Sequence, residues 1–213
     1  MNWTEQRAQM VDRQLRGRGI KDKRVLAAML AVPREEFVPE EFRKNAYDDD
    51  PLPIGHAQTI SQPYMVALMA ECLSLIGGEG VLEVGCGSGY SAAVLGMLAR
   101  EVVTMELHRE LADRAKATLA KTGYGRNVTV VCGDGSLGYP SRAPYDGLTV
   151  AAGAPDVPPA LLAQLDEGGR LVIPVGPLED QELKIGSKTN GKVAYRIATR
   201  CRFVPLTGEQ GWK

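Results

Sequence analysis

The amino-acid sequence predicts an α/β fold with a mostly parallel central sheet, antiparallel C-terminal strands and an N-terminal helical extension. Three observations lead to this prediction: apolar runs alternate with helical patterns from residue 81 to residue 174, a glycine-rich loop follows the first run, and a hairpin pattern lies near the C-terminus. Parallel strands need long crossover connections, which the intervening helices supply. We expect a single domain over 1–213, divided into N-terminal helices with a loop (1–76), the alternating core (77–176) and the C-terminal strands (177–213).

The first 75 residues are expected to be largely helical. Apolar residues recur three or four positions apart within residues 4–45, which is the spacing of a helix with one buried face, and Pro33 is expected to end the second helix. Two prolines and a glycine within residues 51–55 predict a loop. A further helix is expected over residues 63–75.

The alternating core predicts five strands and three helices. The strands are expected at residues 81–84, 102–105, 128–131, 147–150 and 169–174, and the helices at residues 91–99, 108–122 and 159–165. Beyond them, Asn190-Gly191 separates extended patterns at residues 183–187 and 193–203. This dipeptide favours tight hairpin turns, so the last strands are expected to be antiparallel.

Composition and charge argue against several functional classes. The 25 Lys and Arg residues nearly balance 26 Asp and Glu residues, which argues against a nucleic-acid binder that relies on bulk charge. No apolar stretch approaches about 18 residues and the polar N-terminus lacks the core of a signal peptide, so we expect no membrane span and a cytoplasmic location. Two histidines and four separated cysteines predict no metal site and reduced, buried thiols at Cys72, Cys86, Cys132 and Cys201.

Three glycines at alternate positions follow the first core strand. Gly85, Gly87 and Gly89 lie in the segment VLEVGCGSGY, where glycine lets the backbone approach a ligand at the carboxyl end of a strand. The spacing G-x-G-x-G differs from the G-x-G-x-x-G of dinucleotide-binding folds, and no phosphate-loop G-K-[ST] follows. The loop contains no Lys or Arg, which favours a ligand without phosphates. Taken alone, the three glycines are also compatible with a purely structural turn.

Three carboxylates are expected near the ends of consecutive strands. Glu106 ends the second strand, where it can accept hydrogen bonds from both ribose hydroxyls of a nucleoside, and Asp134 follows the third, where it can accept from an adenine amino group. Glu83 adds negative charge near the glycine loop. Each acid alone could be solvated or cap a helix, but together they predict a pocket for a positively charged nucleoside. S-adenosylmethionine, which carries a sulfonium and an ammonium group, fits this description.

Residues 51–67, PLPIGHAQTISQPYMVA, resemble the signature region of the protein-L-isoaspartate (D-aspartate) O-methyltransferase family. The resemblance extends over nearly the whole chain and includes the glycine loop, GGRLVIPVG at residues 168–176 and FVPLT at residues 203–207. Many methyltransferases share the glycine loop, whereas the segment Thr59-Ile60-Ser61 is far more specific. The resemblance implies a Rossmann-like S-adenosylmethionine-dependent methyltransferase fold.

The family resemblance also implies a reaction and its partners. Members transfer a methyl group from S-adenosylmethionine to the free α-carboxylate of L-isoaspartyl and D-aspartyl residues in damaged proteins, and S-adenosylhomocysteine remains. The methyl ester then cyclises to a succinimide, and hydrolysis restores some normal aspartate. The expected partners are therefore damaged proteins and peptides. The balanced charge and the absence of a long apolar run predict no nucleic acid and no membrane partner, and the moderate aromatic content of 6% favours a monomer.

The family's functional residues carry over onto the matching positions. The resemblance implies that Ser61 lies beside the acceptor carboxylate and the sulfonium. That carboxylate is already ionised at neutral pH and needs no general base, so we expect the Ser61 hydroxyl to donate a hydrogen bond that aims it. Cofactor contacts are implied for Thr59, Ile60, Glu83, Gly85, Gly87, Ser88, Gly89, Glu106, Leu107, Asp134 and Gly135. Substrate contacts are implied for His56, Ala57, Thr59, Ser61, Val204, Pro205 and Leu206.

The chain departs from the family pattern at a few positions. Ala57 stands where a glycine is common, and a C-terminal polar contact is not carried over onto Gln210. Cys86 is expected to be a small packing residue and not a nucleophile. His56 either orients a substrate carbonyl or shapes its loop, and His108 either contacts the edge of the cofactor or begins a helix.

Alternative functions built on the same cofactor pocket stay open. Residues 151–155, Ala-Ala-Gly-Ala-Pro, follow the fourth strand and lack the N-P-P-Y-type motif of base methylases and the metal-binding acids of catechol-type enzymes. One alternative is an O-methyltransferase with a small-molecule acceptor. A second is a cofactor-binding scaffold that has lost catalysis, against which an intact Ser61 and an acidic pocket argue.

Overall fold

The computed structural model describes residues 2–213 and has the predicted α/β architecture. Its N-terminal part consists of α1 (Trp3–Gln9), a π-helical segment (Met10–Leu15), a 3-10 turn (Arg16–Arg18), α2 (Lys23–Ala31), two 3-10 helices (Arg34–Phe37 and Glu40–Asn45), β1 (Leu52–Gly55), β2 (Gln58–Ile60) and α3 (Pro63–Leu73). The remaining elements are β3 (Gly80–Val84), α4 (Tyr90–Gly96), β4 (Glu101–Glu106), α5 (Arg109–Thr122), β5 (Val128–Cys132), two 3-10 turns (Gly135–Leu137 and Pro140–Arg142), β6 (Tyr145–Val150), α6 (Pro159–Gln164), β7 (Leu165–Val175), β8 (Gln181–Thr189) and β9 (Lys192–Cys201).

One seven-stranded sheet, in the order β5-β4-β3-β6-β7-β8-β9, positions the candidate site. Strands β3 to β7 are parallel, whereas β8 and β9 are antiparallel to their neighbours, as predicted. The turn residues Asn190 and Gly191 have φ values of 52° and 73°, the left-handed backbone that this hairpin dipeptide favours. After β3 the chain forms β4 on one side of β3 and later forms β6 on the other side of β3. In open α/β sheets, ligands bind beyond the carboxyl ends of the strands at such a reversal of strand order.

Two apolar clusters cover opposite faces of the sheet. Val81 and Val102 belong to a cluster with residues of the N-terminal helices, α3 and α4. Their neighbours along the strands, Leu82 and Val103, belong to a second cluster that includes Leu161 of α6. Both faces are therefore buried, which explains why these parallel strands are almost continuously apolar. Within residues 2–213, no helix has the length and apolar character needed to cross a bilayer.

The loop expected over residues 51–55 is the clearest correction to the sequence prediction. Leu52 and Ile54 are buried, and β1 pairs with β2 in a separate two-stranded antiparallel sheet. Pro53 is accommodated because each strand of a two-stranded sheet has one unpaired edge, where a missing N–H costs little. The prolines and the glycine that predicted a loop therefore belong to a hairpin.

Smaller differences concern helix ends and cysteines. The helix expected over residues 63–75 ends at Leu73, because Ser74 adopts a left-handed φ of 53°. The helix expected over residues 91–99 spans Tyr90–Gly96. Helix α2 ends at Ala31, ahead of the proline that predicted its end. Two of the four thiols are buried as predicted, whereas those of Cys132 and Cys201 are partly exposed.

Candidate active site

The glycine-rich loop after β3 is held against β4 by its own backbone. The amides of Gly85 and Cys86 both donate to the carbonyl of Met105 at 2.9 Å. Gly85, Gly87 and Gly89 have φ values of 93°, 54° and 86°, in the left-handed region that other residues disfavour. The shape of the loop therefore requires glycine, and Gly89 is the N-terminal cap of helix α4.

A cavity opens beside this loop at the carboxyl ends of β3, β4 and β6. Most of the predicted site residues line it, namely Thr59, Ile60, Ser61, Gly85, Gly87, Ser88, Glu106, Leu107, Gly135, Val204, Pro205 and Leu206. His108, the N-terminal cap of α5, also lines the cavity. The wall does not include Glu83, Gly89, Asp134, His56 or Ala57. The location matches the reversal of strand order at β3.

Glu106 joins the glycine loop to the start of helix α5. Its side chain is almost completely buried; Oε2 accepts from the Gly87 amide at 2.8 Å, and Oε1 accepts from the His108 amide at 3.0 Å. Each oxygen of an ionised carboxylate can accept more than one hydrogen bond. Glu106 can therefore hold the loop and accept from two ribose hydroxyls at the same time.

A row of buried polar side chains crosses the sheet behind the glycine loop. Glu83 of β3 lies in register with Thr104 of β4 and Thr149 of β6. The Thr104 hydroxyl donates to Glu83 Oε2 at 2.6 Å. Glu83 Oε1 and Thr149 Oγ1 have no hydrogen-bond partner in the described part of the chain, and Thr149 lines the cavity. Buried polar atoms without partners are costly, so the hydroxyl of Thr149, which lines the cavity, favours a ligand that brings a polar group.

Sequence reasoning missed several residues of the cavity wall. Thr149 had a usable signal, because it is the one polar residue in the run Gly-Leu-Thr-Val near the end of β6. The apolar and small residues showed only the periodicity of buried helices and strands. The missed residues are Val66, Met69, Val84, Cys86, Tyr90, Met105, Thr149, Ala151 and Ala152, with the polar residues Gln58, Ser91 and Thr207.

Glu83 titrates in an unusual range. Burial raises the pKa of its carboxyl from the ordinary 4.5 to about 7, and the nearby charge of Glu106 adds to this shift, although the side chains of Ser91 and Thr104 oppose it. The folded protein therefore keeps Glu83 protonated over a range of pH in which the unfolded chain has already released the proton.

Replacing Glu83 with Gln is expected to remove a pH-dependent part of the stability. The contribution of Glu83 is complete below about pH 4.5 and is lost as the pH rises through about 7, because the unfolded chain ionises first. The wild-type free energy of unfolding should therefore fall relative to that of Glu83→Gln by about 3 kcal/mol across this window. Urea unfolding of both cofactor-free proteins at several pH values measures this difference, and a difference that does not change with pH would contradict the prediction.

The C-terminal segment engages Asp134 directly. Asp134 Oδ1 accepts from the amide and the hydroxyl of Ser136 at 2.9 and 2.7 Å, and Oδ2 accepts from the Glu209 amide at 2.7 Å. The Gln210 amide donates to Ser136 Oγ at 3.0 Å, and Gln210 Oε1 accepts from the Ala160 amide at 2.9 Å. Gln210 thus ties down this segment, and the adenine contact of Asp134 stays a prediction.

A second cavity of about 770 Å³ adjoins the first and forms an open groove. Thr59, Ser61, Ala151, Val204 and Pro205 line both. Backbone hydrogen bonds hold residues 204–206 at the junction, because the carbonyl and the amide of Gly153 each bond to this segment at 2.8 Å. A molecule in the groove can therefore meet a ligand of the first cavity beside Ser61.

The chemistry of the first cavity fits a nucleoside that carries positive charge. Its wall contains the carboxylate of Glu106 and, within residues 2–213, no Lys or Arg, whereas a phosphate-bearing ligand favours cations. The glycine loop lies where the strand order reverses, and it lets the protein backbone come close to a bound ligand. The fold and this site together define the class of S-adenosylmethionine-dependent methyltransferases.

Comparison with known proteins identifies the family within this class. Residues 5–211 match the family model described as Protein-L-isoaspartate(D-aspartate) O-methyltransferase. The chain is also 53% identical over 213 residues to the Protein-L-isoaspartate O-methyltransferase 1 of Rhodopseudomonas palustris, with 99% of this chain and 86% of the relative covered. This chain belongs to the protein-L-isoaspartate (D-aspartate) O-methyltransferase family.

Two solved structures have a similar fold. A protein-L-isoaspartate O-methyltransferase matches with a TM-score of 0.86 and 32% identity, over 96% of this chain and 67% of that chain. A Plasmodium falciparum protein described as a beta-aspartate methyltransferase, in complex with S-adenosyl-L-homocysteine, matches with a TM-score of 0.81 and 25% identity, over 97% and 99% of the two chains. The expected fold class and family are thereby confirmed.

Proposed function

We propose that this protein transfers a methyl group from S-adenosylmethionine to the free α-carboxylate of L-isoaspartyl and D-aspartyl residues in damaged proteins, which initiates repair through a succinimide. The position of Ser61 carries the proposal. Ser61 ends the Thr59-Ile60-Ser61 segment and lies where the cofactor cavity meets the open groove. A groove open to the surface suits an acceptor that is part of a protein chain, and it favours this reaction over a small-molecule acceptor.

The bound cofactor supplies a methyl group on a positively charged sulfur. A carboxylate oxygen of the acceptor forms a bond to the methyl carbon as the carbon–sulfur bond breaks, and the electron pair of that bond stays on sulfur in S-adenosylhomocysteine. The acceptor carboxyl group has a pKa of about 4, so at neutral pH it is ionised and is already the nucleophile. The protein therefore has to orient two reactants, a contribution worth about 7–11 kcal/mol in well-aligned reactions. Ser61 donates a hydrogen bond that aims the carboxylate.

Residues around the first cavity hold the cofactor in this proposal. The Glu106 carboxylate accepts from the ribose hydroxyls, while the glycine loop permits close approach of the backbone. The hydroxyl of Thr149, which has no partner within residues 2–213, offers a further polar contact, and the buried carboxyl of Glu83 lies in the same row of the sheet. The proposed contact of Asp134 with the adenine edge has less support, because its neighbour Gly135 lines the cavity and Asp134 itself does not.

The acceptor protein lies in the groove, with residues 204–206 along its edge. Val204 and Pro205 line both cavities, so they can contact the chain on either side of the acceptor residue. His56 and Ala57 line neither cavity, and their predicted substrate contacts have less support than those of Ser61. We also propose that the chain acts as one domain and as a monomer in the cytoplasm, where its four free thiols suit a reducing compartment.

Methyl transfer to matched peptides tests the proposal. Radiolabelled S-adenosylmethionine is supplied with an isoaspartyl peptide and with its normal aspartyl twin of the same sequence. We expect label only on the isoaspartyl peptide, because only that residue presents the free α-carboxylate. Equal labelling of both peptides, or of neither, would overturn the proposed function.

A further inference from the structure

We propose that His56 and His108 form a latch that holds the tip of the β1–β2 hairpin on helix α5 and so positions the hairpin over the cofactor cavity. The inference rests on the proposed function, because the proposed function assigns the cavity to the cofactor. The latch adds two positioning residues, His56 and His108, to that function. His56 then acts through the hairpin and does not itself contact the acceptor.

The latch joins segments that are far apart in the sequence. The imidazole rings of His56 and His108 are stacked, with centroids 4.8 Å apart and planes inclined by 24°. His56 Nε2 lies 2.7 Å from Glu110 Oε2 in the first turn of α5. His108 is the N-terminal cap of the same helix and donates its amide to Glu106, which also accepts from the Gly87 amide, so the hairpin tip rests on a residue bonded to the side chain that holds the glycine loop.

The turn at the hairpin tip needs such support. His56 and Ala57 have φ values of 53° and 55°, although neither is glycine. A two-residue turn of this kind favours Asn-Gly, because L side chains crowd the backbone in the left-handed region. Strained backbone persists only where surrounding contacts over-determine it. The stack on His108 and the bond to Glu110 provide those contacts.

One arm of the hairpin packs against the glycine loop, and the other arm lines the cofactor cavity. A Cβ placed on Gly87 would lie 3.1 Å from Ile54 Cδ1, so β1 packs directly against the glycine loop. The Arg114 guanidinium donates to the Ile54 carbonyl from the middle of α5. On the other arm, residues 58–60 line the cavity, and Ser61 follows them. Release of the tip would therefore loosen the wall that carries the acceptor-aiming serine.

Removal of the stacked ring tests the latch. We compare His108→Ala with His108→Phe, which keeps a flat ring against His56, and with His56→Asn, whose side chain tolerates the left-handed backbone. The measurements are the dissociation rate of S-adenosylhomocysteine and hydrogen exchange of the backbone amides of residues 54–60 in the cofactor-free protein. Thermal unfolding of each variant confirms that the fold is retained.

We expect His108→Ala and His56→Asn each to speed S-adenosylhomocysteine release and hairpin exchange by about fivefold or more, a change equivalent to about 1 kcal/mol. The double variant should add little to the effect of His56→Asn, because His56→Asn already removes the stack on His108 together with the bond to Glu110. His108→Phe should keep most of the protection. Unchanged release and exchange in His108→Ala, equal effects of His108→Phe and His108→Ala, or additive single effects would each overturn the latch.

The test of the latch can fail or succeed independently of the test of the proposed function. Hydrogen exchange uses no acceptor and no cofactor, so it reports on the latch even if the isoaspartyl peptide is not methylated. Conversely, selective methylation of that peptide by the wild-type protein would stand if the latch variants behaved like the wild type.

Discussion

Replacement of Glu106 by alanine is expected to weaken binding of S-adenosylmethionine by about 100-fold or more, a loss of about 3 kcal/mol. The change removes the acceptor for the amides of Gly87 and His108, which are bonded to it at 2.8 and 3.0 Å, as well as the proposed acceptor for two ribose hydroxyls. Hydrogen bonds to a charged group in a buried setting are among the stronger ones. Titration calorimetry with S-adenosylmethionine and S-adenosylhomocysteine measures the loss.

Two further variants separate the role of Glu106 from general damage. Glu106→Gln keeps the shape but has only one accepting oxygen, so we expect an intermediate loss of affinity. Glu101→Ala changes a partly exposed acid at the opposite end of the same strand, bonded to Arg100, and should leave affinity unchanged. Wild-type affinity in a folded Glu106→Ala protein would exclude this residue from the cofactor site.

Ser61→Ala is expected to lower kcat/KM for an isoaspartyl peptide by about 10- to 100-fold, the range for a lost hydrogen bond to a charged group. The effect follows from the place of Ser61 at the junction of the cofactor cavity and the groove, where it can reach the acceptor carboxylate. A hydrogen bond that orients the carboxylate is strongest when the reactants are aligned in the transition state. Its loss should therefore lower kcat more than it raises KM. Steady-state methylation at varied peptide concentration measures both parameters.

The matched control for Ser61 is Ser61→Thr, which keeps the hydroxyl. It should retain more activity than Ser61→Ala, although its added methyl group narrows the junction. Affinity for S-adenosylhomocysteine should be close to wild-type in Ser61→Ala, since the lost bond concerns the acceptor. Full kcat and KM in Ser61→Ala would show that the hydroxyl does not aim the carboxylate.

Much of the site was predictable because strand ends are visible in sequence. The glycine loop and Glu106 follow apolar runs, and parallel strands bring their carboxyl ends to one edge, so their convergence on a cavity needed no knowledge of packing. Thr149 was missed although it carried a signal, because a single threonine in an apolar strand more often has a partner within the fold. The signature segment at residues 59–61 was found through family resemblance and not through periodicity.

The hairpin at residues 52–60 marks the limit of local reasoning. Its prolines and glycine favour a loop when only neighbouring residues are considered, yet the rest of the molecule buries Leu52 and Ile54. The stacking of His56 on His108 depends on where two distant segments meet. The order of residues along the chain does not show that His56 and His108 come close together in the fold.

By itself, the sequence determined the α/β class, the glycine loop and the acidic strand ends, because periodicity, residue type and spacing are properties of the chain alone, and its signature segment indicated the family through resemblance. Only the tertiary structure decided that Glu83 and Thr149 keep buried oxygen atoms without partners among residues 2–213, that Ser61 lies where two cavities join, and that the hairpin tip rests on α5. The physical reason is that burial and hydrogen-bond satisfaction arise from contacts between segments far apart in sequence.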